Sequence, residues 1–209
     1  MTTSLDHVRW VGGGSGAGKT TVTRVLAERF GIGLYSTDAT IGVHSGQLDA
    51  PGSPLLERFR RMSMDERWLK RDPVTMYATF PWFHGEGFDL LIEDLQRLPT
   101  NRPVLVEGFR LLPHLVRPHV LNPRHAVWLV PTPDFRQAAF MRRRHADAFW
   151  TRTTDPDRAL INLLERDRIF TDKIDGDAAR NSLDVLYVDS TCTVESMAQE
   201  LAARFGLHR

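Results

Sequence analysis

The sequence contains little cysteine and no long hydrophobic run. Its single cysteine, Cys192, excludes an internal disulfide. No stretch approaches the about eighteen apolar residues of a membrane-spanning helix, and residues 1–10 lack the apolar core of a signal peptide. We therefore expect a cytoplasmic protein that does not bind membranes.

Excess charge of either sign is also missing, because 27 basic side chains accompany 26 acidic ones. This balance gives no reason to expect a nucleic acid as partner. Lysine is scarce, with three lysines against 24 arginines, so the position of Lys19 within a glycine-rich segment stands out. The 209 residues, 42% of them hydrophobic, are enough for a single domain spanning residues 1–209. Monomer and homodimer both stay open.

The sequence does contain an alternation of apolar runs and helical patterns. The runs predict five strands, at residues 7–12, 33–36, 103–107, 126–131 and 185–189. Strands separated by helices predict an α/β fold with a mostly parallel five-stranded sheet covered by helices on both faces. Ligands of such sheets bind at the carboxyl ends of the strands.

The segment after the first predicted strand, VGGGSGAGKTT, matches the phosphate-binding pattern GxxxxGK[ST] without a mismatch. Its glycines let backbone N–H groups point at a phosphate, and the following helix N-terminus adds partial positive charge. Lys19 is expected to contact the β- and γ-phosphates and Thr20 to ligate Mg²⁺, with ATP or GTP as the nucleotide. The predicted nucleotide-binding residues are Gly13, Gly14, Ser15, Gly16, Ala17, Gly18, Lys19, Thr20 and Thr21.

This loop and the order of strands and motifs resemble the P-loop kinases of small molecules and nucleotides. The chain looks most like the chloramphenicol phosphotransferase, shikimate kinase and uridine kinase groups, in which a second strand ends in an acidic residue. Here that residue is Asp38, in YSTDAT. The resemblance implies a P-loop NTPase-type three-layer sandwich in which Asp38 faces the acceptor hydroxyl as base or orienting group. A helix N-cap is the alternative role for Asp38.

A second acid, Glu107, ends the third predicted strand in VLVEGF. In a P-loop fold, the acid at this place holds Mg²⁺ through water or polarises the nucleophile. We therefore predict that Glu107 is both a catalytic and a metal-binding residue. An ordinary strand-end carboxylate is the alternative, and whether Asp38 or Glu107 is the base stays open.

Arginines cluster after the fourth strand, where such kinases place a lid. We predict a lid-like helical segment at 136–175, with Arg142, Arg144 and Arg152 contacting the nucleotide phosphates. The planar guanidinium suits this role because it bonds two phosphate oxygens at once. Since three adjacent positions on a helix span about 200° of its circumference, at most one or two of residues 142–144 face the nucleotide.

The insertion at residues 39–101 is predicted to be helical and to bind the acceptor. Residues 40–54 are expected to form an exposed loop and residues 55–70 a helix, with later breaks at Pro81, Gly85 and Gly87. The aromatic residues of the insertion either stack on the acceptor or pack in the insertion's own core. Core packing is the simpler interpretation for Phe80 and Phe83. These aromatic residues are Trp68, Tyr77, Phe80, Trp82 and Phe83.

The residues together predict a Mg²⁺- and ATP-dependent phosphotransferase acting on a hydroxyl of a small molecule. The insertion lacks an arginine-rich monophosphate pattern, which favours a neutral or zwitterionic acceptor, although Arg58, Arg60, Arg61 and Arg67 could bind a phosphate. A nucleoside or nucleotide kinase is one alternative. A nucleotide-dependent switch or binding module with slow NTP hydrolysis is the other.

Overall fold

The structure, a computed structural model, describes residues 4–49, 51–142 and 148–208. Within these ranges five strands form one all-parallel sheet in the order β2-β3-β1-β4-β5. The predicted α/β class is confirmed, and the all-parallel sheet flanked by helices is consistent with a P-loop NTPase-type fold. The strands are β1 Val8–Gly13, β2 Gly33–Ser36, β3 Val104–Glu107, β4 Ala126–Pro131 and β5 Asp184–Val188.

Helices connect the strands and fill the insertion. No helix in the described ranges combines the length and hydrophobicity that crossing a bilayer requires. Short 3-10 turns lie at Pro81–His84, Arg117–His119, Pro123–His125 and Phe149–Arg152. The α-helices are α1 Lys19–Phe30, α2 Ile41–Gln47, α3 Pro54–Arg60, α4 Met64–Trp68, α5 Pro73–Ala78, α6 Phe88–Gln96, α7 Pro113–Val116, α8 Pro133–Arg142, α9 Pro156–Arg180 and α10 Val194–Phe205.

The sheet has a hydrophobic core on each face, because successive side chains of a strand point to opposite sides. On one face, Val11 and its neighbours pack with apolar residues of α1 and α10. On the other, Trp10 and Trp128 belong to a larger cluster with α9 and the insertion helices. Every residue of β3 and β4 is buried, as expected for central strands of a sheet covered on both sides. The result is the predicted three-layer sandwich.

The strand order brings the ends of β1, β2 and β3 together. Connections run to opposite sides of β1, so the loop after β1 lies at the point where the strand order reverses. In the pairing register, Glu107 lies beside Ser36 on one side and Val11 on the other. The fold therefore places the glycine-rich loop and the acid of β3 at one edge of the sheet.

Two predictions within the insertion are wrong. Residues 40–54 do not form a continuous loop, because α2 forms there despite Gly42 and Gly46. Tertiary contacts outweigh the low helix propensity of glycine, since His44 of α2 is buried and bonds to Asp94 and Arg110.

The single helix predicted for residues 55–70 is also wrong, because α3 and α4 are separate. Ser63 is the N-cap of α4, and its reciprocal bonds with Glu66 form a capping box that starts a new helix. The predicted break at Pro81, Gly85 and Gly87 is confirmed. A serine followed three residues later by glutamate was the local signal for the second helix start.

Candidate functional site

The glycine-rich loop runs from the end of β1 to the first turn of α1. A Cβ atom on Gly13 would lie 2.1 Å from the Leu129 carbonyl oxygen, and its φ of +120° is unfavourable for other residues. The Gly14 N–H donates to that same carbonyl at 3.0 Å, which fixes the loop against β4. Residues 14–18 complete the loop, and Lys19, Thr20 and Thr21 begin α1. The nine predicted nucleotide-binding residues thus form one continuous structure.

Lys19 folds back onto this loop and is 7% exposed. Its Nζ donates to the carbonyl oxygens of Gly14 at 2.8 Å and Gly13 at 3.1 Å. These bonds hold the ammonium against the loop backbone, where an anion gathered by the loop's N–H groups would meet it. The position fits the predicted contact with the β- and γ-phosphates.

Thr20 and Glu107 lie in direct contact. The Thr20 hydroxyl is 3.1 and 3.2 Å from the two carboxylate oxygens of Glu107, and the Ser36 hydroxyl donates to Glu107 Oε1 at 2.6 Å. Glu107 is fully buried, so these hydroxyls supply hydrogen bonds that a buried carboxylate needs. Two residues predicted separately from sequence are therefore partners.

This pair fits a magnesium site that takes its other ligands from outside the protein. No three acidic, histidine or cysteine side chains converge in the described part of the chain. Mg²⁺ is usually bound by one or two protein groups together with substrate phosphates and water, and hard oxygen ligands suit it. Thr20 and Glu107 supply such oxygens beside the phosphate-binding loop.

We expect Thr20→Ala to raise the Mg²⁺ concentration required for half-maximal activity, because the hydroxyl that would ligate the ion is lost. Thr20→Ser keeps the hydroxyl and is the matched control. Mg²⁺ titrations at fixed ATP measure the effect. Superimposable titration curves for the alanine variant and the unmodified protein would remove Thr20 from the metal site.

Asp38 follows β2 and lies exposed at the same edge of the sheet. Its Oδ1 accepts a hydrogen bond from the Thr37 hydroxyl at 3.3 Å, and a Cβ on Gly108 would come within 3.0 Å of that oxygen. The same Cβ would lie 1.8 Å from the Thr37 hydroxyl oxygen, so Gly108, with a φ of +147°, makes room for Thr37 above all and for the Asp38 carboxylate beside it. The N-cap alternative is wrong for α2, since Thr40 is the N-cap of that helix.

An aromatic cavity of about 400 Å³ opens beside Asp38 and Ser15 of the glycine-rich loop. Five rings come from the insertion, and others come from the segment after β3, from α8 and from the 3-10 turn before α9. Phe80 and Phe83 pack in the core, as the simpler interpretation predicts, and they also line the cavity. Stacking of these rings on an acceptor stays a prediction. The lining rings are those of Phe59, Trp68, Phe80, Trp82, Phe83, Phe109, Phe140 and Phe149.

The insertion and the segment before α9 are bonded to each other around this cavity. The Asp65 carboxylate accepts from the Thr154 N–H at 2.8 Å and from its hydroxyl at 2.7 Å. These bonds hold the pKa of Asp65 below its usual value. The Trp68 and Phe149 rings lie 4.8 Å apart across the same junction. Two chain regions far apart in sequence thus share one wall.

A buried ion pair forms the polar part of the wall. Arg166 bonds to Asp167 Oδ1 through Nε at 2.8 Å and Nη2 at 2.6 Å. The guanidinium carbon lies 4.8 Å from the Phe80 ring centroid and 5.1 Å from that of Phe83. Contact with ring faces stabilises a cation that has left water.

Arg136 lies beside the loop, although the sequence analysis did not select it as a site residue. A Cβ on Gly16 would lie 3.5 Å from Arg136 Cγ, and Arg136 is 3% exposed. Burial lowers the pKa of its guanidinium, an effect that nearby Asp167 opposes. The available signal was its place in the first turn after β4, at the carboxyl edge of the sheet.

Of the three predicted lid arginines, the two that the structure describes are exposed, unlike Arg136. Arg142 is exposed at the end of α8, and Arg152 is exposed in the 3-10 turn before α9. Arg144 lies outside the described residues. Their contact with phosphate stays a prediction.

A second polar network anchors α2 at the ends of β2 and β3. The Tyr35 hydroxyl donates to Asp94 at 2.6 Å, His44 Nε2 lies 2.9 Å from the same oxygen, and Arg110 donates to His44 Nδ1 at 3.0 Å. Because arginine is only a donor, His44 Nδ1 is the acceptor and Nε2 carries the proton. Burial and the bond to Asp94 raise the pKa of Tyr35 to about 12. The network fixes the helix that follows Asp38.

The chain matches no protein-family model and no curated protein. Among solved structures, it is similar to an uncharacterized protein from Eubacterium ventriosum ATCC 27560, with 13% identity, a TM-score of 0.46, and coverage of 96% of this chain and 98% of that one. It is also similar to a gluconokinase from Sinorhizobium meliloti 1021, with 16% identity, a TM-score of 0.45, and coverage of 97% and 93%. Likeness at this level assigns neither a family nor a substrate to this chain.

Proposed function

We propose that this protein is a Mg²⁺-dependent phosphotransferase that moves the γ-phosphoryl group of ATP to a hydroxyl of a small molecule. The observation that carries the proposal is the juxtaposition of Ser15 of the phosphate-binding loop and Asp38 on one cavity. A nucleotide on the loop and an acceptor in the cavity would therefore meet at Asp38. Phosphoryl transfer needs this positioning together with charge stabilisation.

In the proposed reaction, Asp38 accepts or orients the proton of the acceptor hydroxyl. The acceptor oxygen forms a bond to the γ-phosphorus, and the bond from that phosphorus to the β–γ bridging oxygen breaks, which releases ADP. Mg²⁺ held at Thr20 and Glu107 would neutralise charge on the phosphates. Lys19 contributes a second positive charge at the same oxygens.

Arginines complete the proposed site. Arg136 is the strongest candidate for a phosphate contact because it is buried beside Gly16. Arg142 and Arg152 keep their predicted lid role as a proposal. Charge developing on the transferred group is stabilised most by donors that are already fixed in place, and burial fixes Arg136.

The insertion arginines support a neutral acceptor over a monophosphate. Arg60 and Arg61 form salt bridges with Glu57, while Arg67 bonds to backbone carbonyl groups of α3. Arg58 is exposed, and none of the four lines the aromatic cavity. A nucleoside kinase stays compatible with the cavity because a nucleobase is flat.

The proposal is tested by measuring ADP release from Mg-ATP with and without a panel of small alcohols. A kinase releases ADP faster when an acceptor is present, whereas a slow NTP-hydrolysing switch does not respond to small alcohols. Nucleosides belong in the panel as the rival acceptor class. ADP release that no alcohol or nucleoside accelerates would favour the switch.

We expect amide exchange in residues 136–142 and 148–155 to slow when ATP is added, because clustered arginines repel each other until phosphate arrives. Hydrogen exchange followed by mass spectrometry measures this protection. The C-terminal end of α10 at residues 202–205, outside the predicted lid, is the internal control. Equal exchange with and without ATP in both lid peptides would remove the lid from the proposal.

A further inference from the structure

The chemistry of the cavity wall restricts the acceptor, if the proposed function holds. Eight of the thirteen lining residues are aromatic, and Ile41 adds another apolar side chain. A polyol or sugar acid in this cavity would bury several hydroxyl groups with few partners, which is unfavourable. Flat rings, in contrast, gain stacking and edge contacts from such a wall.

The charges of the wall favour a neutral molecule. Arg166 and Asp167 form an ion pair, so their charges largely cancel. Asp38 forms no salt bridge among the described residues, although it interacts electrostatically with the buried guanidinium of Arg110. A carboxylate or phosphate on the acceptor would meet the Asp38 carboxylate at this point. A cationic acceptor is disfavoured as well, because it would approach the Arg166 guanidinium, which already contacts the rings of Trp68, Phe80 and Phe83.

The ion pair also leaves hydrogen-bonding capacity unused. Arg166 Nη1 and Asp167 Oδ2 are buried and lack a hydrogen-bond partner in the part of the chain that the structure describes. Both residues line the cavity, and each is at least nine-tenths buried. Unpaired buried polar atoms are costly, so a ligand group that reaches them would be favoured. The wall therefore tolerates a polar substituent at this one place.

We infer that the acceptor is a neutral alcohol built on a flat aromatic ring system, with its ring among the aromatic side chains and its hydroxyl at Asp38. A volume of about 400 Å³ is within the usual range for small-molecule sites. This inference names the substrate class of the proposed phosphotransferase and rests on it.

The first test compares ligands that differ in flatness and polarity. Calorimetry of the full chain, with Mg²⁺ and a non-hydrolysable ATP analogue, measures binding of 2-(2-naphthyl)ethanol, 2-phenylethanol, 2-cyclohexylethanol, sorbitol and gluconate. We expect 2-phenylethanol to bind about threefold to tenfold more tightly than its cyclohexyl counterpart. Tighter binding of sorbitol or gluconate, equal binding of the two rings, or no saturable binding of the naphthyl alcohol would overturn the inference.

The second test changes one wall residue that is accessible. Phe149 is 40% exposed, so Phe149→Ala removes a cavity ring without emptying the core. We expect it to weaken naphthyl alcohol binding about tenfold. Tyr187→Ala, which removes an exposed ring of β5 outside the cavity, is the matched control. Unchanged naphthyl affinity in Phe149→Ala would place the ligand elsewhere.

Binding and transfer separate the two ideas. If aromatic alcohols bind in this cavity but receive no phosphoryl group, the proposed phosphotransferase activity is rejected and the inferred ligand class is retained. Transfer to sorbitol or gluconate in preference to aromatic alcohols would support the phosphotransferase and reject the aromatic acceptor class. Thermal unfolding of each variant shows whether it is folded, so that a loss of binding or transfer is not caused by unfolding.

Discussion

Lys19→Ala is expected to lower ATP-dependent turnover by about 10²- to 10³-fold, the usual loss when one fixed donor to developing charge is removed. The ammonium is buried against the loop and would neutralise charge on the β- and γ-phosphates. Steady-state kinetics with saturating acceptor measure the effect, and thermal unfolding checks the fold. Lys19→Met retains most of the apolar stem and should lose as much activity.

The matched control for Lys19 uses one of the two other lysines. Lys173 is exposed on α9 and is not a lining residue of the aromatic cavity. Lys173→Ala should therefore keep full turnover. Full turnover in a folded Lys19→Ala protein would instead show that the loop does not hold the reacting nucleotide.

Asp38→Asn is expected to reduce phosphoryl transfer by roughly 10²- to 10⁴-fold, as for a lost general base, while ATP affinity stays nearly normal. The reason is spatial, because the phosphate-binding loop supplies nucleotide binding and Asp38 faces the acceptor cavity. ATP affinity by calorimetry and transfer by kinetics must be measured on the same variant.

Asp72→Asn provides the control for this exchange of carboxylate for amide. Asp72 is the N-cap of α5, and asparagine caps a helix about as well as aspartate. Stability and activity should both survive there. Near-normal transfer in Asp38→Asn would show that Asp38 is not the base. Loss of ATP binding would indicate that Asp38 instead binds the metal ion.

Strong local signals predicted the sheet and the phosphate-binding loop. Buried strands such as β4 are continuous apolar runs, and the prediction for 126–131 agrees with the strand's observed bounds. GxxxxGK[ST] needs only backbone N–H groups and one helix start, both of which are local in sequence. Asp38 and Glu107 were selected because the resemblance to P-loop kinases implies acids after the second and third strands, and parallel strands end at one edge of a sheet.

Long-range contacts explain what the sequence did not reveal. α2 depends on the bonds of His44 to Arg110 and Asp94, from residues 50 or more positions away. Arg136 becomes a site candidate only when α8 packs beside the loop. The cavity joins rings from the insertion with those of α8 and the turn before α9, and periodicity within one segment carries no information on such a junction.

The fate of the γ-phosphoryl group tests the central claim most directly. The full chain is incubated with Mg²⁺, ATP labelled at the γ-phosphate and 2-(2-naphthyl)ethanol, and the products are separated by chromatography and identified by mass spectrometry. We predict that the label appears on the alcohol as a phosphate monoester, in amounts equal to the ADP formed. Label found only in inorganic phosphate, whichever alcohol or nucleoside is supplied, would contradict the account.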